Sequence, residues 1–217
     1  MNAAAPPPPK PTLRGVSHEI GFYVALVAGV ALVVWSPPLA RVQAAVYAGS
    51  LATLLGVSAL YHRPTWAPAQ RRWLRRLDHA AIFVLIAGTA TPFSLLLPAG
   101  SARALLAIAW GGTTAGVLQA MLWVDAPKPL IAALYLALGW AIAPFVPALA
   151  GSLGRAQIAL LFAGGVAYSV GAVVYARRRP NPAPLVFGYH EIFHALVLVA
   201  AVLHFVAVAG VVRLVAG

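Results

Sequence analysis

The sequence predicts an all-α integral membrane protein, a seven-transmembrane helix bundle with almost no soluble domain. Three observations predict it. Of the 217 residues, 62% are hydrophobic and only 9% are charged, whereas a soluble domain keeps roughly a quarter of its residues charged to face water. Apolar stretches recur at the length of about 20 residues that a helix needs to cross the hydrocarbon core. The basic residues sit mostly in the short gaps between those stretches.

The elements follow in order. Residues 1–14 form a tail whose prolines, Pro6 to Pro9 and then Pro11, rule out a helix and predict a disordered segment with local polyproline II character. Residues 15–217 form the membrane domain. Its first apolar stretch, 18–36, has no small-residue cleavage signal before the next segment and reads as a retained helix, not a signal peptide. It stops at Ser36-Pro37-Pro38, and a second stretch covers 42–62. A third spans 77–97 and stops at Pro98-Ala99-Gly100. A fourth spans 103–123 and ends before Ala126-Pro127-Lys128-Pro129. The fifth, 128–149, is interrupted by Pro144 and Pro147. The sixth, 156–176, runs into Arg177-Arg178-Arg179-Pro180-Asn181-Pro182, and the seventh covers 187–212. Glycines such as Gly116, Gly164 and Gly171 predict close helix packing, because small residues let backbones approach each other in lipid.

Seven crossings put the two ends on opposite sides, which allows a charge test. Lys10, Arg14, Arg63, Arg71, Arg72, Arg75, Arg76, Lys128 and Arg177 to Arg179 fall on the side of the N-terminus, whereas only Arg41, Arg103, Arg155 and Arg213 fall on the other. The richer side belongs in the cytoplasm. The expected location is therefore the cell (inner) membrane, with a cytoplasmic N-terminus and an external C-terminus. The net charge of +11 could also suit nucleic acid, but basic residues placed at membrane edges fit anionic headgroups instead, so no nucleic-acid partner is expected. The chain has no Cys, which excludes disulfides and thiolate-held metals.

Ionisable side chains within membrane segments are costly and mark function. Three helices deliver them to one membrane face. Ser58 and His62 close the second helix, Asp78 and His79 open the third, and His190, Glu191 and His194 open the seventh. His190 and His194 are four residues apart, about 40° around a helix and one turn along it, so both rings can face one point. Two imidazoles at this spacing make a zinc half-site, and His62 supplies a third nitrogen. Three His plus water is a catalytic zinc arrangement in which Asp78 could hold or deprotonate the water. Ser58, one turn before His62, could hydrogen-bond a ligand, the water or a substrate carbonyl. Glu191 points away from His190 and reads as loop-facing, and His79 is similarly rotated away from Asp78. His204, near mid-membrane, reads as an interhelical hydrogen-bond partner, and His18 with Glu19 could line the site.

Ser58-x-x-x-His62, the run Leu77-Asp78-His79-Ala80-Ala81-Ile82-Phe83 and Gly188-Tyr189-His190-Glu191-Ile192-Phe193-His194 together resemble the hemolysin III family. That family is the bacterial branch of the group containing the adiponectin and progestin receptors, within a superfamily that includes alkaline ceramidases. The resemblance covers nearly the whole chain. It implies a seven-helix bundle with a zinc ion near the cytoplasmic face. The ligands would be His62, His190 and His194, with Asp78 holding a zinc-bound water or the metal and the characteristic Ser at Ser58. Many bacterial members carry a Glu and an Asn ahead of a His in the first helix. Here the segment reads Ser17-His18-Glu19, with no such Asn nearby.

The expected function is a zinc-dependent hydrolase of a lipid amide or ester, with membrane lipid as its substrate, Asp78 as general base and Ser58 orienting the carbonyl. The alternative is a receptor-like or membrane-homeostasis protein in which zinc is structural. The apolar middles of most helices argue against a channel.

Overall fold

The computed structural model describes residues 10–215. The polyproline expectation for the run Pro6 to Pro9 lies outside them. Among the described residues there are seven helices long and apolar enough to cross a membrane, which makes this a multi-pass, all-α membrane bundle. The spans are Val16–Trp35, Pro38–His62, Pro68–Leu96, Ala99–Leu122, Lys128–Leu149, Arg155–Arg177 and Tyr189–Val215.

Proline sets several of the boundaries. Pro38, Pro68 and Pro129 sit in the first turns of the second, third and fifth spans, where a missing N–H costs nothing and the fixed φ suits the helix. Within the fifth span Pro144 has the opposite effect. The α-helix Lys128–Gly139 gives way to a 3-10 segment over Trp140–Phe145, then one α turn at Val146–Leu149.

The third helix departs from the sequence expectation. It begins at Pro68, not near residue 77. Its first turns carry Arg71, Arg72, Arg75 and Arg76, which depress a hydropathy window without breaking a helix. Asp78 therefore sits inside the third helix and does not open it.

Outward faces are apolar. Val27, Val34, Leu122 and Val202 are all exposed, as lipid-facing side chains should be. Successive spans pack against one another, and the seventh also meets the first, second and third. That position lets it share a site with the second and third. Where the sixth and seventh meet, Gly164 makes the approach possible, because a Cβ there would run into the His204 ring. His204 Nε2–H donates across this contact to the Leu161 carbonyl, 3.0 Å away.

Candidate metal centre

The second span ends on His62, and the seventh begins at Tyr189, so its first turns hold His190 and His194. One nitrogen from each of these three rings lies within 4.8 Å of the others. His62 Nε2 and His190 Nε2 are 3.1 Å apart. Two nitrogens bound to one tetrahedral zinc at about 2.0–2.1 Å would be separated by about 3.3 Å, so the observed spacing fits a shared cation. The rings are splayed instead of stacked, with interplanar angles of 64° for His62–His190, 66° for His62–His194 and 55° for His190–His194. His62 and His194 are buried, and His190 is half-buried. Neutral imidazoles in such a setting are good ligands for a transition metal.

Asp78 approaches from the third span. Its Oδ2 lies 3.8 Å from His62 Nε2, and its side chain is only 13% exposed. The buried Ser58 hydroxyl faces the same carboxyl. His79 is not part of the three-His group, and its carbonyl accepts a hydrogen bond from the Tyr135 hydroxyl at 3.1 Å. The five residues singled out by sequence as metal ligands or catalytic groups thus come together at one membrane face.

His18, from the first span, stacks flat on His194 with ring centroids 3.8 Å apart and planes 7° apart. It is buried, and neither of its ring nitrogens has a hydrogen-bond partner among the described residues. Glu19 faces outward and pairs with Arg63 at 2.6 Å. Glu191 is loop-facing, as its helical position suggested. It accepts from the Gly188 N–H at 2.8 Å and pairs with Arg14.

Sequence reasoning missed the cover over this centre. From Lys10 to Arg14 the chain lies on the loop before the seventh span. Thr12 N–H donates to the Leu185 carbonyl at 3.0 Å and Leu13 N–H to the Val186 carbonyl at 3.3 Å. Lys10 Nζ donates to the Arg63 carbonyl at 2.7 Å. Burial and the neighbouring Arg63, Arg71 and Arg14 pull the Lys10 pKa below the ordinary lysine value. The chain then turns at Gly15, whose φ of +80° is left-handed and whose Cβ, if present, would stand 2.7 Å from His62 Cβ. Only glycine fits both demands. In the sequence, Gly15 ahead of the first apolar stretch marks the turn but not the docking of the residues before it.

Away from this cover, toward the membrane interior, a large cavity opens. It encloses about 1320 Å³ of empty space, counting its open mouth. Asp78, Ser58, His18 and His194 line its head, and His204 and Tyr168 lie along it farther into the bundle. Most of the wall is apolar, including Leu85, Ile142 and Val197. The broken part of the fifth span, Trp140 to Ala143, forms one side. A smaller space between Asp78, His79, Tyr135, Tyr175, His190 and Phe193 flanks the other side of Asp78.

Residues 8–205 match the family described as haemolysin-III related. The chain belongs to that family. The "Hemolysin-3 homolog" of Bacillus subtilis (strain 168) is 32% identical over 190 residues, covering 85% of this chain and 86% of the relative. "Hemolysin-3" of Bacillus cereus is 31% identical over 200 residues, covering 90% and 88%. The "Heptahelical transmembrane protein ADIPOR2" of Oryza sativa subsp. japonica is 36% identical over 149 residues, covering 61% of this chain and 65% of that protein. In this haemolysin-III-related chain the matched region takes in both ends of the metal centre, from the cover at Lys10 to His194.

Proposed function

We propose that the protein is a membrane-embedded, zinc-dependent hydrolase of a lipid amide or ester. The observation that carries this reading is a three-His group set against Asp78, which with Ser58 and His194 lines the head of a mostly apolar cavity. Its mostly apolar lining suits an acyl chain. His62, His190 and His194 would hold zinc, and borderline-soft imidazole ligation favours that metal. Bound there, zinc supplies a Lewis acid that polarises a carbonyl and makes water more acidic.

The chain's own residues do the rest. The apolar wall seats the hydrocarbon tail and brings the carbonyl to the polar head of the cavity. The Ser58 hydroxyl orients that carbonyl. As water adds to the carbonyl carbon, Asp78 takes its proton, then passes that proton to the leaving amine or alcohol as the C–N or C–O bond breaks. The cover from Lys10 to Gly15 and the flat stack of His18 on His194 limit bulk water around the reacting groups. The charge bias supports a cytoplasmic position for this face of a protein in the cell membrane.

Purified protein in lipid nanodiscs, offered ceramides and phospholipids, should release fatty acid. Release should stop on chelation and return with zinc. Absence of turnover in fully metal-loaded protein overturns the hydrolase.

One observation favours a second reading, a receptor-like or membrane-homeostasis protein with structural zinc. Asp78 Oδ2 stands 3.8 Å from His62 Nε2, within about half an ångström of the spacing between two ligands of one tetrahedral zinc. A direct Asp78 ligand would close the fourth position. Asp78→Ala separates the two, since a hydrolase base can be removed with zinc retained, whereas loss of a fourth ligand releases zinc.

A further inference from the structure

Lys128 begins the fifth span beside the metal centre. Its Nζ donates to the Tyr189 hydroxyl at 3.1 Å. It stands 4.3 Å from the centre of the Tyr175 ring and 5.0 Å from that of Tyr189. Both rings neighbour a metal ligand, with centroids 6.0 and 6.1 Å from that of His190. Tyr175 and His190 also line the smaller space, which shares Asp78, Tyr135 and Phe193 with the large cavity. An amphiphile with its carbonyl at Asp78 and its tail in the large cavity would therefore present its other end on the side where Tyr175 stands, with Lys128 against that ring.

What meets the ammonium there is decided by charge. The chain has 4 acidic residues, and all are engaged elsewhere. Glu191 pairs with Arg14, Glu19 with Arg63 and Asp125 with Arg75. Asp78 stands at the metal centre. No carboxylate lies within ion-pair distance of Lys128 among the described residues. The two aromatic faces hold the ammonium in place by cation–π attraction but do not neutralise it. Because Tyr189 accepts from Nζ, its own O–H is free to donate outward. An ammonium and a phenol thus offer two donors side by side, with no acceptor of negative charge between them. A cation added at the three-His group makes the same mouth more positive still.

We propose that Lys128, steadied by Tyr175 and Tyr189, receives the oxyanion headgroup, carboxylate or phosphate, of an amphiphile whose chain occupies the large cavity. This rests on the hydrolase reading for the placement of the chain, and it narrows the substrate class to lipids with an anionic head. A neutral head would leave the ammonium's charge unpaired and would forgo a charge-assisted hydrogen bond, which is roughly twice as strong as a neutral one.

The test uses the full-length, zinc-loaded protein in nanodiscs of zwitterionic lipid and reads equilibrium binding of hexadecyl phosphate, hexadecanol and inorganic phosphate. Wild type should bind hexadecyl phosphate roughly ten- to a hundredfold tighter than hexadecanol, the span expected of a hydrogen bond to a charged group. Lys128→Gln should bring that ratio toward one, and Lys128→Arg should keep most of it. Zinc content and the melting profile of each variant show that the bundle is intact. If Lys128→Gln keeps the preference, the anion is held elsewhere and the proposal fails. It also fails if inorganic phosphate binds as tightly as hexadecyl phosphate, since the site then serves free anions. Binding is read without turnover, so the two readings fail separately. A wild type that shows the preference but never hydrolyses overturns only the hydrolase, and one that hydrolyses without the preference overturns only the role of Lys128.

Discussion

His194 faces two neighbours. It turns one nitrogen toward the His62 and His190 group and offers its flat face to His18. In the proposed metal site, loss of this ring would remove a ligand and leave His18 unstacked, whereas loss of His190 would remove a ligand next to Tyr175 and leave the stack intact. His190→Ala and His194→Ala should each weaken zinc binding roughly a hundredfold or more, beyond the ten- to hundredfold that loss of a supporting residue costs. Metal analysis after dialysis against a graded chelator checks this, and full zinc retention by either variant would remove that residue from the ligand set. These residues were legible in the sequence because membrane segments rarely carry ionisable groups, so His62, Asp78, His190 and His194 stood out against an apolar background. Lys128 and Arg14 did not, because at a membrane edge a basic residue is ordinary. Only their partners in space, Tyr189 and Tyr175 for the first and Glu191 for the second, distinguish them. The stack of His18 on His194 had no local signature either, since it joins residues at opposite ends of the chain.

At the level of elements, the number of spans could be read from hydropathy, but the start of the third helix could not. Hydropathy finds what lipid covers, and the first turns of that helix carry four arginines that lie outside it. The prolines of the fifth span foretold an interruption but not its use as a cavity wall. The segment before the first span is a further case, because a basic, proline-rich tail gave no reason to expect docking. Its anchor is Arg14 on Glu191, a carboxylate whose side chain is only 3% exposed. Removing one partner of a buried pair strands the other charge and costs about 3–5 kcal/mol, while removing both can be far milder. Arg14→Ala should therefore destabilise the protein by about 3 kcal/mol, less whatever the remaining Gly188 N–H bond recovers. Arg14→Ala with Glu191→Gln should regain most of it. Thermal unfolding in one detergent across the two single variants and the double variant gives the coupling directly. Additive losses would mean that the cover is not held by this pair.

For the whole molecule, the side on which the centre lies determines which pool of water and which leaflet it meets. The three-His group, the Lys10–Gly15 cover and Lys128 share one face with the arginine-rich ends of the second, third and sixth spans. In the proposed orientation, which follows the positive-inside bias, that face meets the cytoplasm, where anionic lipids give the leaflet a negative surface potential. An oxyanion-headed amphiphile in that leaflet would approach Lys128 from its own side of the membrane, with no need to flip. The opposite orientation would turn the same mouth outward, and the basic face would then oppose the bias. The chain has no native Cys, so single cysteines report orientation without background. Thr65 follows the second span on the metal side, and Gly151 follows the fifth on the other, and both are exposed. In intact cells Gly151→Cys should react with a membrane-impermeant maleimide, while Thr65→Cys should react only after the membrane is opened. The reverse pattern would place the metal centre outside, and labelling of both in intact cells would contradict a bundle whose spans all cross the bilayer.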